Sequence, residues 1–223
     1  IPETVKSIGE SSFSFATGFD GDLIINADVS TIDSTMFSES GFKGSLTIGN
    51  YVTEIGSRAF ELISSFKGNL TIGSNVQKIG SMAFYGTEFT GSLVIPDKVT
   101  IIESHAFMNS KFDTIKIMSN NLNVSQKAFH GMSSLTTVTY CGYNEIKCQD
   151  SIFDDTLEGI QAPSFYLFDT VCGRPRKSVL CSACNVQYEG HTCVDPTASL
   201  TKAPPPTQSE SPSASPKGTQ YVP

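Results

Sequence analysis

A solenoid assembled from a unit of about 23 residues is the fold this sequence predicts, and three markers predict it. A Phe recurs at Phe13, Phe37, Phe60, Phe84, Phe107 and Phe129, in steps of 24, 23, 24, 23 and 22 residues. An aliphatic residue five places earlier recurs as Ile8, Ile32, Ile55, Ile79, Ile102 and Val124. An apolar pair spaced by one residue recurs as Leu23/Ile25, Leu46/Ile48, Leu70/Ile72, Leu93/Ile95, Ile115/Ile117 and Val138/Tyr140. The markers hold phase over about 130 residues.

Each copy reads G-x-L-x-I, a short gap, V-x-x-I-G-x-x-A-F, then a second Phe before the next Gly, as from Gly44 to Phe66. A period of about 20–29 residues with one short strand per copy is the leucine-rich-repeat class of solenoid. One copy cannot bury its own apolar face. Stacking puts Leu on Leu, Ile on Ile and Phe on Phe, so the core grows by one layer per copy. Each Phe then contributes roughly 2–3 kcal/mol. Gly21, Gly44, Gly68 and Gly91 precede the strand, and Gly56 and Gly80 follow the Ile. Both sets read as turns that need positive φ or room for a neighbouring backbone.

Taken in order, the chain opens at Ile1-Pro2-Glu3-Thr4-Val5, the middle of a copy, with no Met, charged n-region or apolar h-region. The expectation is a fragment with further repeats before it. Residues 1–140 hold six copies. The fifth is the least regular. It lacks the Gly before Thr114-Ile115, and Asn121-Leu122-Asn123-Val124 shifts the apolar step by one, which predicts a local bulge.

Alternation along each strand sends Ile24, Thr47, Thr71, Val94, Lys116 and Thr139 outward, with Asp22, Ser45, Asn69, Ser92, Thr114 and Thr137 beside them. In this class that sheet is the concave side. Thr suits any exposed strand. The same ladder also offers a shallow groove for a glycan or a protein, with Ser45, Thr47, Asn69, Thr71, Ser92, Val94 and Lys116 as its candidate ligand-binding residues. Asn69-Leu70-Thr71 and Asn123-Val124-Ser125 are N-glycosylation sequons. A glycan on Asn69 would stand on the proposed groove.

From Cys141 the pattern weakens. Ile152-Phe153 echoes the Phe step, Ile160-Gln161-Ala162-Pro163 echoes a last strand, and Phe165, Tyr166, Leu167 and Phe168 supply bulk for a cap. The expected division is a solenoid over 1–163, a Cys-rich cap over 164–195 and a disordered Pro/Ser/Thr-rich stalk over 196–223. Cys141, Cys148, Cys172, Cys181, Cys184 and Cys193 are an even set confined to the C-terminal third, which reads as disulfides in an oxidising compartment. Six cysteines allow about 15 pairings. Cys141–Cys148 is the natural local guess. The rival is a Zn²⁺ site from Cys181, Cys184, His191 and Cys193, although His-x-Cys is not a common ending for one.

Net charge is −7, which argues against nucleic acid or an anionic membrane surface as the main partner. No apolar run reaches the length of a membrane-spanning helix. The sequence carries no P-loop, Gly-x-Ser-x-Gly or His-Glu-x-x-His motif. His105 falls in a slot that holds Arg58 and Met82 in earlier copies, so it reads as variable surface rather than chemistry. Asp154, Asp155 and Glu158 cluster near the cap without the ligand spacing of a Ca²⁺ loop. No enzyme, cofactor or metal is expected.

The V-x-x-I-G-x-x-A-F core, Ile95-Pro96 and the Phe89–Leu93 run F-x-G-S-L resemble the BspA-like leucine-rich repeats, over about residues 1–163. That family is found on surface proteins of anaerobic bacteria and mucosal protist parasites. The resemblance implies a solenoid displayed outside the cell and used for adhesion to host cells or extracellular-matrix glycoproteins; in a surface protein the stalk would lead to a membrane anchor, expected beyond residue 223. The matching residues are the stacking core, so they speak to fold more than to ligand. The alternative function is a structural coat or wall component that self-associates without a specific ligand.

Overall fold

The computed structural model of the chain describes residues 1–142, 144, 146–149, 151–153, 160–163, 170–172 and 174–179. The first six strands are β1 Leu23–Ile25, β2 Thr31–Ile32, β3 Leu46–Ile48, β4 Glu54–Ile55, β5 Leu70–Thr71 and β6 Lys78–Ile79. The next six are β7 Ser92–Ile95, β8 Ile101–Ile102, β9 Thr114–Ile117, β10 Asn123–Val124, β11 Thr137–Tyr140 and β12 Lys147–Cys148. Then come β13 Ile160–Pro163, β14 Thr170–Val171 and β15 Arg174–Val179. Among the described residues no helix is long and apolar enough to cross a membrane.

From Leu23 to Cys148 each copy supplies two strands, and each joins its own parallel ladder; the first copy, around Ile8 and Phe13, has none. From β1 to β11 the odd-numbered strands carry the spaced apolar pair, and from β2 to β10 the even-numbered ones carry the isolated aliphatic residue. In the even ladder β2, β4, β6, β8, β10 and β12 pair without interruption. Register follows the repeat: Ile32, Ile55, Ile79, Ile102 and Val124 lie opposite one another in turn, then Cys148. Lys78 crosses this ladder to reach Glu54 at 2.9 Å and Glu103 at 3.2 Å, tying three copies by charge.

A third ladder runs through the turns around each Phe, and no strand pattern announces it. Thr35, Arg58, Met82, His105 and Lys127 have φ near +60°, as do Glu39, Leu62, Gly86 and Asn109 four residues later in their copies. This conformation turns alternate N–H groups toward the next copy. Arg58 donates to the Ser81 carbonyl at 2.9 Å, Phe60 to Ala83 at 2.8 Å and Leu62 to Tyr85 at 2.8 Å. The same triplet recurs from Met82, Phe84 and Gly86, and again from His105, Phe107 and Asn109. A left-handed non-glycine residue costs about 1–2 kcal/mol. Here the cost is offset by the inter-copy hydrogen bond that each of these residues from Thr35 to Asn109 donates.

Inside the ladders stand two columns of Phe. Phe37, Phe60, Phe84, Phe107 and Phe129 are fully buried and stack face to face at 5.1–5.5 Å. Phe153 continues that column, 5.4 Å from Phe129. Phe42, Phe66, Phe89 and Phe112 form the second column and meet the first edge-on, as Phe84 does Phe89 at 6.5 Å. Offset stacks and edge contacts are the favourable aromatic geometries.

The odd ladder is not continuous. β1, β3 and β5 form one sheet, while β7, β9, β11, β13 and β15 form another, closed by the antiparallel β14. β5 and β7 are neighbours but do not pair. The bulge expected in the fifth copy is absent. β9 pairs residue for residue with β7 and β11, and β10 with β8. Its irregular spacing is taken up in the connecting turn, where Leu122 is 1 % exposed and fills the core place that Val99 holds one copy earlier.

The glycines divide by cause. A Cβ on Gly80 would lie 2.7 Å from the Gly56 carbonyl carbon, and one on Gly56 would lie 2.7 Å from the Ile32 carbonyl oxygen. Both sites need room for the adjacent copy. Gly91 has φ +74° and its added Cβ would meet nothing closer than 3.6 Å. Of the glycines that precede an L-x-I strand, only Gly91 needs positive φ.

The local Cys141–Cys148 pairing is overturned, because Cys148 is joined to Cys172 with the Cα atoms 5.3 Å apart. Cys141 follows β11 of the odd ladder, whereas Cys148 ends β12 of the even ladder, so cysteines with six residues between them belong to different ladders. The bond ties the even ladder to the turn between β14 and β15. Cys141 is also disulfide-bonded, and Cys181, Cys184 and Cys193 lie outside the described residues. So do the aromatic run at 165–168, the acidic residues 154, 155 and 158, His191 and the stalk.

Candidate functional site

The exposed face of the odd strands is built by alternation. In β3, Leu46 and Ile48 are buried while Thr47 between them is half-exposed, and in β7 Leu93 and Ile95 are buried while Ser92 and Val94 are exposed. Parallel register then aligns the outward residues: Ile24 with Thr47, Thr47 with Thr71, Val94 with Lys116, and Lys116 with Thr139.

A depression of about 420 Å³ opens in this face at the gap between β5 and β7. Asn69, Thr71, Ser92 and Val94 line it, and Leu70 and Ile72 form its floor. Those floor residues are 5 % and 8 % exposed, whereas their counterparts Leu46, Ile48, Leu93 and Ile95 are 0–1 % exposed. Across β3, β5 and β7 the buried strand residues are therefore least covered where the sheet is interrupted.

Four of the seven expected binding residues meet there. Ser45, Thr47 and Lys116 flank the depression instead. Ser45 also serves the stack, since its hydroxyl accepts from the Asn69 N–H at 3.1 Å and its own N–H donates to Asp22 at 2.6 Å. Thr47 and Lys116 are half-buried in the columns on either side. Asn69 is exposed at the rim, and Asn123 is exposed on β10 of the even ladder.

Sequence reasoning did not find the neighbouring depression of about 470 Å³, lined by Lys43, Ser64, Ser65 and Lys67. Its signal is a Lys directly before the Gly in two successive copies, Lys43-Gly44 and Lys67-Gly68, where the flanking copies have Asp20-Gly21 and Thr90-Gly91. Lys67 lies 3.7 Å from Glu88, with both side chains well exposed. Ser65 donates to the Phe42 carbonyl at 2.6 Å.

His105 sits in the turn ladder with φ +62°, in the backbone place that Arg58 and Met82 occupy in their copies. Among the described residues there is no group of three His, Cys, Asp or Glu side chains arranged to hold a metal ion.

Comparison with curated proteins finds no match. The model of the BspA type leucine rich repeat region, six copies long, matches residues 1–67 and 30–158. The matched span carries both Phe columns and the even ladder, and repeats of this kind generally mediate protein interactions, typically at a surface. On that span and that architecture, the chain belongs to the BspA-type leucine-rich repeat family.

Proposed function

We propose that the chain is a cell-surface adhesion module that engages host-cell or extracellular-matrix glycoproteins through the exposed face of its odd strands, centred on the depression between β5 and β7. The supporting observation is that depression: a partly uncovered Leu/Ile floor ringed by an amide, two hydroxyls and a valine, on a rigid stack. Affinity at one such site is modest, and dense display on a surface multiplies it. Extracellular display fits the Cys148–Cys172 bond, since disulfides persist in oxidising compartments. A membrane anchor beyond residue 223 and a glycan at Asn123 belong to the same reading. A glycan at Asn69 does not, because it would cover the depression.

A structural, self-associating coat component is the second reading, favoured by the apolar surface of the first copies. There Phe15 is 66 %, Ile24 49 % and Phe19 41 % exposed.

Saturable binding of the full oxidised chain to epithelial cells and matrix glycoproteins tests the first reading. A triple variant, Thr47→Glu, Thr71→Glu and Val94→Glu, is expected to lose that binding with its melting temperature unchanged. Binding kept by the variant would move the site to another face. Absence of binding together with concentration-dependent sedimentation would favour the coat.

A further inference from the structure

We infer that the depression between β5 and β7 seats an uncharged pyranose ring of a glycan, with Leu70, Ile72 and Val94 against the apolar face of the ring and Asn69, Thr71 and Ser92 on its hydroxyls. The inference rests on the adhesion reading and names the ligand chemistry of the same site.

A relay of side-chain hydrogen bonds along the odd face stops where the strand pairing stops. Ahead of the break, the Asp22 carboxylate accepts from the Ser45 N–H at 2.6 Å, and the Ser45 hydroxyl accepts from the Asn69 N–H at 3.1 Å. Asn69 passes nothing on to Ser92. Among the described residues, the Asn69 carboxamide and the Thr71 and Ser92 hydroxyls make no hydrogen bond to the protein. Three polar groups therefore face the depression with donors and acceptors to offer.

The strand break supplies the apolar half. Leu70 and Ile72 are partly uncovered at the floor, and Val94 is exposed at the rim. An apolar side chain would cover the floor, but it would strip water from the three polar groups and return no hydrogen bond, which is unfavourable. A short polar side chain would serve the rim and leave the floor open. A pyranose ring carries hydroxyls at its edge and C–H groups on its face, so it meets both.

Charge selects a neutral ring. None of the six lining residues is ionisable. Of the flanking charges, Lys67 faces Glu88 at 3.7 Å, and the Asp113 carboxylate accepts from the Gly91 N–H at 2.9 Å. Lys116, aligned with Val94, is half-buried and does not line the depression. A charged ring would surrender its hydration to a lining with no counter-charge.

The test is titration of the full oxidised chain, made in a host that does not N-glycosylate, with soluble oligosaccharides. The neutral probes are an N-acetylglucosamine trimer, N-acetyllactosamine and a mannose trimer, and the charged one is sialylated N-acetyllactosamine. At least one neutral sugar is expected to bind saturably, and the sialic acid to bring no gain. Thr71→Val and Ser92→Ala are each expected to weaken the bound sugar roughly threefold to tenfold, as loss of one hydrogen bond implies. Thr31→Val, on the even ladder, is expected to leave its affinity intact. A tenfold gain from the sialic acid would overturn the neutral assignment, and full affinity in both site variants would overturn the site. Retained cell binding with no neutral sugar bound would overturn the inference and leave the adhesion reading standing; a gain from Thr71→Val would then name an apolar protein side chain as the occupant. Loss of both sugar and cell binding would overturn both.

Discussion

The even ladder and the odd ladder are made from the same copies, yet one is continuous and the other is split. β2 to β12 pair without a gap, and the turn ladder and the first Phe column beside them run on to Phe153. The odd ladder, which presents the exposed face, stops pairing between β5 and β7. Continuous and interrupted pairing therefore occupy different sides of one repeat. A solenoid sums its stability over neighbour interfaces. It can lose one set of strand bonds at one interface while the Phe column and the other two ladders hold that interface together.

The sharpest way to break this comparison is to remove a central ring. Phe84 is fully buried with Phe60 at 5.3 Å and Phe107 at 5.1 Å on its two faces. Phe84→Ala is expected to cost about 3–5 kcal/mol in chemical denaturation. Phe13 is only half-buried and stacks on Phe37 alone within its column, so Phe13→Ala should cost clearly less. Equal losses would mean that the column is not the main support.

The glycines give a smaller contrast. Gly80→Ala forces a Cβ against backbone of the adjacent copy and is expected to lose about 1–3 kcal/mol through overpacking. Gly91→Ala has space but a left-handed backbone, with an expected loss of about 1–2 kcal/mol. The diagnostic difference is in ligand binding. Gly91→Ala should weaken binding at the depression, and Gly80→Ala should leave the affinity of the folded fraction unchanged.

The smallest effect concerns Lys78. Its hydrogen bonds to Glu54 and then Glu103 raise its pKa above the ordinary lysine value. A raised cationic pKa stabilises the fold fully below the unfolded value of about 10.4, and the contribution is lost as the pH rises through the folded value. The melting-temperature gap between wild type and Lys78→Met should therefore be small at neutral pH and close in alkaline solution. All three side chains are about a third or more exposed, which keeps the gap small.

Much of this architecture is legible in the sequence, because apolar periodicity records which atoms must be buried. Leu46, Val52, Ile55 and Phe60 announce their layer at fixed offsets, and Ile152-Phe153 and Ile160 extend it. The turn ladder is not legible. Arg58, Met82, His105 and Lys127 share a backbone conformation but no side-chain chemistry, and left-handed residues are ordinarily sought at Gly or Asn. Nor does the apolar pattern show the sheet break, since Leu70 and Leu93 keep the usual 23-residue step across it. The alternation rule picks out the exposed residues of the odd strands, and four of them line the depression. It missed Lys43 and Lys67 because they stand before the strand, where no alternation points to them.

Amide hydrogen exchange across the native chain tests the central comparison most directly. Exchange protection reports the free energy of local opening at each N–H. Strong protection is predicted for Phe60, Phe84 and Phe107, with markedly faster exchange across β5 and β7 at Leu70, Thr71 and Val94. Uniform protection of the two groups, or faster exchange in the Phe turns than at the β5–β7 gap, would contradict the division between a continuous stack and an interrupted strand face.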